Sequence, residues 1–403
     1  MNTSNHRERS DPRIFLIACE ESGDVIGARL MKALQAKCNG EVRFAGVGGR
    51  GMSREGLASL FPIDDLAIVG LSAIPRRLPQ ILRRIRKTSE AVTAAQADAL
   101  VIIDSPDFTH RVARRVRRAL PELPIVDYVS PTVWAWRPGR ARRMRTYVDH
   151  VLALLPFEPG VHARLGGPSC TYVGHPMIED VGLLRPDTDE ARRRMDDPPL
   201  LLILPGSRTM EIERLLAPFG SAIARVAERC GPLELVLPTV PHLHDRIKKA
   251  IAGWAIQPRI VMSDTEKWAA FRTARAALAA SGTVSLELAI AGVPAVIAYK
   301  VSLIEEVIAR LAIHAPSVVL ANLVLGENTM PELLQRQATP DQLAEALIPL
   351  IGDTPERRRQ TDAFARLDAI MDIGGTSPSA KAAEIVLGIA RERAAYFRRE
   401  TGT

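Results

Sequence analysis

The chain has 403 residues, 47% hydrophobic and 25% charged but only 4% aromatic, with a formal net charge of +7; at about 150 residues per domain this allows two or three domains, each with its own core. Its 29 prolines and 27 glycines are spread along the chain, which excludes a low-complexity or disordered protein. Four cysteines, Cys19, Cys38, Cys170 and Cys230, lie far apart, which excludes a disulfide scaffold and a CxxC-type zinc site and fits a reducing cytoplasm.

The opening MNTSNHRERSDPR is polar and carries no apolar h-region, so no signal peptide is expected. RIFLIAC (13–19) reads as a strand and ESGDVIGARLMKALQAK as a turn and helix. In the loop between them, ACEESGD (18–24), Gly23 allows close approach, and Ser22 or Asp24 can bond sugar hydroxyls or cap a helix. VRFAGVGG (42–49), DALVIID (98–104), PIVDYVS (124–130) and HVLALLPF (150–157) continue the short apolar strands, with helical stretches between most of them. A mean hydropathy of +0.02 in so charged a chain fits strands of parallel sheets buried on both faces. IDSPDF (103–108) sets Asp104 at a strand end and Asp107 just past Pro106. Carboxylates there are candidates for a general base, or for turn formers beside a proline.

The positive charge is concentrated. Between Arg76 and Arg145 stand 16 Lys/Arg against six Asp/Glu, a surplus of +10. It comes in three runs, PRRLPQILRRIRK (75–87), RVARRVRR (111–118) and RPGRARRMR (137–145), the first a Pro-bounded helix that follows the apolar LAIVGLSAI. Interleaved leucine, isoleucine and arginine can lie at an acyl–phosphate boundary; solvated helix faces are the plainer reading. No nucleic-acid module accompanies the charge, so an anionic lipid or phosphorylated substrate is favoured. SPTVWAWRPGRARRM (130–144) adds two tryptophans, Trp134 and Trp136, whose place is open, as is that of His175 at the end of a strand in VGHP (173–176).

The polar stretch 182–199 reads as a linker, and the pattern then restarts with LLLILPG (200–206), LELVLPT (233–239), RIVMSD (259–264), AALAA (276–280) and PAVIAYK (294–300). The result is two successive doubly wound parallel sheets, an α/β architecture of two Rossmann-like domains at about 1–185 and 200–360 facing a cleft. Periodicity predicts helices from about 341 onward. The most apolar window, 276–299, is interrupted by Gly282, Glu287, Gly292 and Pro294, so no membrane span is predicted. In LPGSRTMEIERL (204–215), Gly206 permits a tight turn, and Ser207 and Arg208 join the backbone N–H groups of a helix start into an anion site. In SGTVSLELAIAGVPAVI (281–297), Ser281, Gly282 and Thr283 open a second helix. Glu287 in its first turns can accept both hydroxyls of a ribose, or can simply complement the helix dipole. Asp187 and Asp189 form an Asp-x-Asp in the linker that reads as a helix start rather than a metal site, and His242 and His244 lack further zinc ligands nearby.

Taken together, ESGD (21–24), IDSPDF (103–108), SPTVWAWR (130–137), LPFE (155–158), VGHP (173–176), LPGSR (204–208), ASGTVSLE (280–287) and ANLVLGENTMPELLQ (321–335) resemble the lipid-A-disaccharide synthase family, in family order over nearly the whole chain. The resemblance implies an inverting glycosyltransferase of the GT-B fold. Such an enzyme joins UDP-2,3-diacylglucosamine to 2,3-diacylglucosamine 1-phosphate and releases UDP and the β-1′,6-linked disaccharide of lipid A. It further implies Asp104 as the base that takes the proton from the acceptor 6-hydroxyl, Arg208 at the departing diphosphate and Glu287 at the ribose. Asn322 would reach the nucleotide site, that of a neighbouring subunit where C-terminal portions are exchanged in a homodimer; the helices from about 364 to 403 would pack back on the first domain. Ile68, Val69, Leu71, Ile74, Arg76, Arg77, Leu78, Ile81, Leu82, Arg83, Arg84 and Arg86 would hold acyl chains and rest on the cytoplasmic face of the inner membrane of a Gram-negative bacterium. No metal or other cofactor is expected, because arginine and helix N-termini can balance the diphosphate charge. Three positions depart from the family pattern: Cys19 in place of glycine, expected to narrow its loop, GGRGM (48–52) and Ala321. Two other readings stay open, a UDP-N-acetylglucosamine 2-epimerase and a nucleotide-sugar- or lipid-binding protein without turnover.

Overall fold

The computed structural model describes residues 11–63, 74–302, 305–306 and 315–401, without the side chains of 74–77 and 393–401. The chain divides into two units, Met1–Pro176 with Gly375–Thr403, and Met177–Gly374. The first holds a six-stranded parallel sheet of β1 (Arg13–Ala18), β2 (Arg43–Val47), β3 (Ala99–Ile103), β4 (Ile125–Tyr128), β5 (His150–Ala153) and β6 (Ser169–Tyr172) in the order β2-β1-β3-β4-β5-β6. The second holds β7 (Leu200–Leu204), β8 (Glu234–Pro238), β9 (Arg259–Val261), β10 (Ala276–Ala280), β11 (Ala295–Tyr299) and β12 (Glu332–Leu334) in the order β12-β11-β10-β7-β8-β9, also parallel throughout. β6 is the strand that VGHP ends, and β12 does not stand out by sequence. Ser-Cys-Thr-Tyr and Glu-Leu-Leu are too short and too mixed for a buried run, and both lie at sheet edges.

The central strands are apolar because helices cover both faces. β3 (ALVII), β7 (LLLIL) and β10 (AALAA) are buried at every residue, as expected of strands inside doubly wound sheets. One face of the first sheet packs on helix Glu21–Lys37 through Leu30, Met31 and Leu34, and on the C-terminal helix Pro378–Thr401 through Ala382, Val386 and Leu387. The other packs on helices Ile74–Ala95 and Pro106–Ala119 through Ile85, Val92, Val112 and Val116. In the second unit, helix Thr209–Cys230 lays Ile212, Leu215, Phe219 and Val226 on the sheet beside Leu343 and Leu347 of helix Pro340–Leu347.

The boundaries differ from the sequence expectation at both crossings. The first crossing lies at Pro176–Met177 rather than near 185. Residues 177–185 go with the second unit because Arg185 donates to Asp368 Oδ2 at 3.0 Å and to the Ile290 carbonyl at 3.4 Å. Of the helices after 364 only Pro378–Thr401 belongs to the first unit, since the chain recrosses at Gly374–Gly375. Helix Pro355–Ala365 remains with the second, where Gln360 exchanges two hydrogen bonds with the backbone of Ala295. The basic helix opens with Pro75 in its first turn, but it spans Ile74–Ala95 and carries Pro79 inside.

Three arginines tie down the amino-terminal end of the second sheet by donating to backbone carbonyls. Arg194 reaches Phe271 and Ala291 (both 3.0 Å) and Gly292 (3.1 Å); Arg275 reaches Ile351 (2.8 Å); Arg357 reaches Arg275 and Leu350 (both 2.7 Å). Burial brings Arg194 and Arg357 down to about 10, which leaves both charged at neutral pH. Within the linker, Asp187 caps helix Thr188–Arg193 through Asp189 N–H and Glu190 N–H, so the Asp-x-Asp is a helix start.

Candidate active site

In the first unit the chain leaves β1 toward β2 on one side and β3 on the other, so β1 and β3 are the adjacent pair where the strand order reverses. Their carboxyl ends bring together two acidic residues 84 positions apart in sequence, Glu20 and Asp104. Ser105 Oγ donates to Glu20 Oε1 at 3.0 Å. Asp104 and Ser105 both take the left-handed conformation, φ 52° and 47°, which non-glycine residues hold only where their surroundings enforce it. Burial raises the Asp104 pKa above the usual aspartate range; the Ser105 N–H lowers it in part, and the negative charges of Glu20 and Asp127 raise it further. The signal for Glu20 in the sequence was weak: it stands beside Glu21 and Asp24 in an acidic helix start.

The remaining first-unit candidates separate by geometry. Ser22 is exposed at the start of helix Glu21–Lys37, and Gly23 is buried against the end of β3, where a Cβ would lie 3.5 Å from the Ile103 carbonyl oxygen. Asp24 is 4% exposed and accepts from Gly49 N–H (2.7 Å), Gly51 N–H (2.7 Å) and Met52 N–H (3.0 Å). Its carboxylate therefore anchors the start of helix Arg50–Arg54, formed by GGRGM, and is taken up by backbone rather than turned to a sugar. Asp107 lies in the first turn of helix Pro106–Ala119, 87% exposed and 3.7 Å from Arg140. Cys19 does not narrow the loop; its side chain is buried in the core cluster with Phe15, Ile17 and Phe61.

Beneath this end of the sheet lies a buried polar network. Asp127 Oδ2 is 3.1 Å from His110 Nε2, whose Nδ1 is 3.0 Å from the Tyr147 hydroxyl. Ser130 Oγ is 2.9 Å from His162 Nε2. Glu158 accepts from Leu155 N–H (2.9 Å) and from the Trp134 indole N–H (3.3 Å), and burial pushes its carboxyl up to about 7. Trp134 also meets Phe157 edge to face at 5.5 Å and packs against Val133, Ala141 and Val161, which makes it a packing anchor. Trp136 carries the Arg137 guanidinium 3.9 Å over its ring. His175 is held at about 4, first by burial and then by Arg29.

In the second unit the order reverses between β7 and β10, so the loops at 205–208 and 281–283 emerge side by side. Gly206 has φ 104°, and a Cβ there would fall 2.2 Å from Glu211 Oε2, so the turn admits only glycine. Ser207 is exposed. Arg208 caps helix Thr209–Cys230 with its side chain 79% exposed. Buried Glu211, which sequence reading passed over, accepts from Arg208 N–H (3.3 Å) and from its guanidinium (3.2 Å), and so fixes where the arginine starts. In the neighbouring loop Gly282 and Thr283 are exposed, while Ser281 Oγ donates to the Val318 carbonyl at 2.7 Å. Glu287 pairs with Lys267 at 3.3 Å, and Lys267 in turn lies 4.0 Å over the Trp268 ring. This answers the cost of a carboxylate on an apolar helix. Asn322 is buried, and its amide donates to Asn328 Oδ1, Met330 O and Glu332 Oε1, all at 2.9 Å, and accepts from Thr329 N–H and Met330 N–H. Its bonding capacity is used in holding the 322–332 turn, so the structure does not direct it to a nucleotide.

Sequence comparison decides the family. The Lipid-A-disaccharide synthetase model matches residues 14–386. A lipid-A-disaccharide synthase of Nitrobacter hamburgensis is 61% identical over 378 residues, 94% of this chain and 96% of that protein. One from Rhodopseudomonas palustris is 56% identical over 392 residues, 97% of this chain and 100% of that protein. The chain belongs to the lipid-A-disaccharide synthase family. It is accordingly a glycosyltransferase of lipid A biosynthesis. Among solved structures, it is similar to Acinetobacter baumannii MurG (TM-score 0.59, 14% identity, 94% of this chain and 99% of that one). It is also similar to a UDP-GlcNAc 2-epimerase from Neisseria meningitidis bound to UDP-GlcNAc (TM-score 0.60, 11% identity, 94% and 100%). At these identities the likeness shows the fold, two Rossmann-like sheets of the GT-B type.

Of the stretch expected to meet lipid in this lipid-A-disaccharide synthase family member, Ile68, Val69 and Leu71 lie outside the described residues, and the side chains of Ile74, Arg76 and Arg77 do too. Leu78 and Leu82, one helical turn apart, are 42% and 49% exposed, and Arg83 is exposed beside them. Ile81 instead packs toward the core, the Arg84 guanidinium lies 4.5 Å over the Phe61 ring, and Arg86 pairs with Glu90 at 2.7 Å. These positions therefore divide between an outer leucine–arginine stripe and an inner face. No helix among the described residues is long and apolar enough to cross a membrane.

The raised Glu158 pKa has a consequence for stability. Between pH 4.5 and about 7 the unfolded glutamate has lost its proton while the folded one keeps it, so this group's contribution to unfolding free energy falls as pH rises through that window. Glu158→Gln removes the slope. The difference in unfolding free energy, variant minus wild type, measured in urea from pH 4.5 to 7.5, is expected to rise by about 3 kcal/mol. A difference independent of pH would contradict the assignment.

Proposed function

We propose that the chain transfers 2,3-diacylglucosamine from UDP-2,3-diacylglucosamine to the 6-hydroxyl of 2,3-diacylglucosamine 1-phosphate in one inverting displacement, with Asp104 as the base. The observation that carries this reading is the raised carboxyl of Asp104, set on a left-handed backbone at the reversal point of the first sheet. Ligands of open α/β sheets bind at such points, and a carboxyl shifted upward by burial is a stronger base than an ordinary aspartate. The Asp104 carboxylate accepts the hydroxyl proton as the acceptor oxygen bonds to the donor's anomeric carbon and the bond from that carbon to the diphosphate oxygen breaks. The electron pair leaves with UDP.

The developing diphosphate charge is met by the 204–208 turn. Arg208 is exposed and oriented by Glu211, Ser207 offers a hydroxyl, and the 22-residue helix Thr209–Cys230 directs the positive end of its dipole there. Gly282 and Thr283 contribute from the adjacent loop, and Glu287, steadied by Lys267, is the acceptor for ribose hydroxyls. Acyl chains and anionic headgroups of the membrane surface meet the stripe of Leu78, Leu82 and Arg83.

Asp104→Asn is expected to lower turnover about a thousandfold while UDP affinity, read by calorimetry, stays near wild type; turnover near wild type would remove Asp104 as base. In Glu20→Gln, loss of the neighbouring negative charge lowers the Asp104 pKa, so the acid limb of the kcat/KM profile moves to lower pH; an unmoved or raised limb would break the link between the two carboxyls. Combining Leu78→Ser, Leu82→Ser and Arg83→Glu is expected to reduce sedimentation with phosphatidylglycerol vesicles, and unchanged partitioning would defeat the surface assignment.

A further inference from the structure

Beyond the strand-end carboxyls, the first unit contains a depression of about 490 Å³ lined by Asp107, Arg111, Arg114, Arg137, Arg140 and Arg143, with Pro106 and His110 at its wall. Five guanidinium groups converge there from two separate segments, helix Pro106–Ala119 and the 137–143 stretch that enters helix Gly139–Met144. Among the described residues the one carboxylate paired with any of them is Asp107, 3.7 Å from Arg140. So much like charge around one hollow favours an anion there.

Two of the five arginines are also held in place. Arg114 donates to the Tyr147 hydroxyl at 3.1 Å and lies 4.6 Å over its ring; Tyr147 is fixed in turn by His110 and, through it, by Asp127. Arg137 lies on Trp136. A guanidinium preset in this way gives a planar fork suited to a phosphate oxygen pair. The first turn of the 14-residue helix Pro106–Ala119 is part of the wall and adds the positive end of its dipole.

The location specifies which phosphate. Asp104 and Asp107 are three positions apart, so their Cα atoms cannot be more than about 11 Å apart. In a hexose 1-phosphate, C1, which carries the phosphate, and C5, which carries the C6 hydroxyl arm, both flank the ring oxygen, a span that fits within this separation. We propose that the arginine-lined depression binds the 1-phosphate of the acceptor while the 6-hydroxyl faces Asp104, an assignment that rests on the glycosyl-transfer reading above. The site makes the phosphate a determinant of acceptor choice and of which end of the sugar reaches the base.

The test uses the full chain with two acceptors in detergent micelles, 2,3-diacylglucosamine 1-phosphate and the same diacylglucosamine without the phosphate. Wild type is expected to prefer the phosphorylated acceptor by kcat/KM. In the double variant Arg111→Ala/Arg143→Ala that preference should fall about ten- to hundredfold, the loss expected for charge-assisted hydrogen bonds. Arg118→Ala, an exposed arginine of the same helix outside the depression, should keep the wild-type preference. An undiminished preference in the double variant overturns the proposal. So does a preference that is undiminished while binding to phosphatidylglycerol vesicles is lost, which would assign the depression to lipid headgroups. If wild type releases no UDP with both substrates present, the glycosyl-transfer reading itself fails, a result separate from either of these.

Discussion

Both halves of this protein depend on one topological constraint: a parallel sheet begun in its middle. All strands of such a sheet point the same way, so every loop after a strand emerges along one edge. Where the chain starts at a central strand and extends first to one side and then to the other, the loops after two adjacent strands part to opposite faces and leave a crevice. The pairs are β1 with β3 in the first unit and β7 with β10 in the second. Glu20, Asp104 and Ser105 meet at one such crevice, and the 205–208 and 281–283 loops at the other.

Electrostatics give the two crevices different characters. At the first, burial and the negative charges of Glu20 and Asp127 raise the pKa of Asp104, so its carboxyl is poised to take up a proton. At the second, a long helix points its amino terminus at the turn, and a largely exposed arginine is oriented by a buried glutamate. The opposite end of the second sheet is locked by Arg194, Arg275 and Arg357 donating to carbonyls, so the loops of the crevice rise from a stiff base.

Several polar residues in the motifs serve the scaffold that presents the chemistry. Asp24 collects three backbone N–H groups at a helix start, and Asn322 closes the 322–332 turn with both ends of its amide. Trp134 and Glu158 brace each other in the polar layer under the first sheet. Removing any of them would disturb the loops without removing a group from the reacting atoms.

By itself the sequence determined the two α/β halves, most of their strands, and Asp104, Gly206 and Arg208 as residues at strand ends, because buried parallel strands and glycine-bearing turns leave local, short-range signals. The family too was legible there, in motifs spread from ESGD to ANLVLG. Only the tertiary structure decided which strand ends are neighbours, since strand order depends on pairings between residues far apart in the chain, as Glu20 with Ser105 shows. It also decided which polar side chains are already satisfied, separating Asp24 and Asn322 from Asp104 and Arg208, and it gathered Arg111, Arg114, Arg137, Arg140 and Arg143 around one hollow. Hydrogen-bond saturation and charge convergence are properties of positions in space, and a residue's type and its sequence neighbours do not encode them.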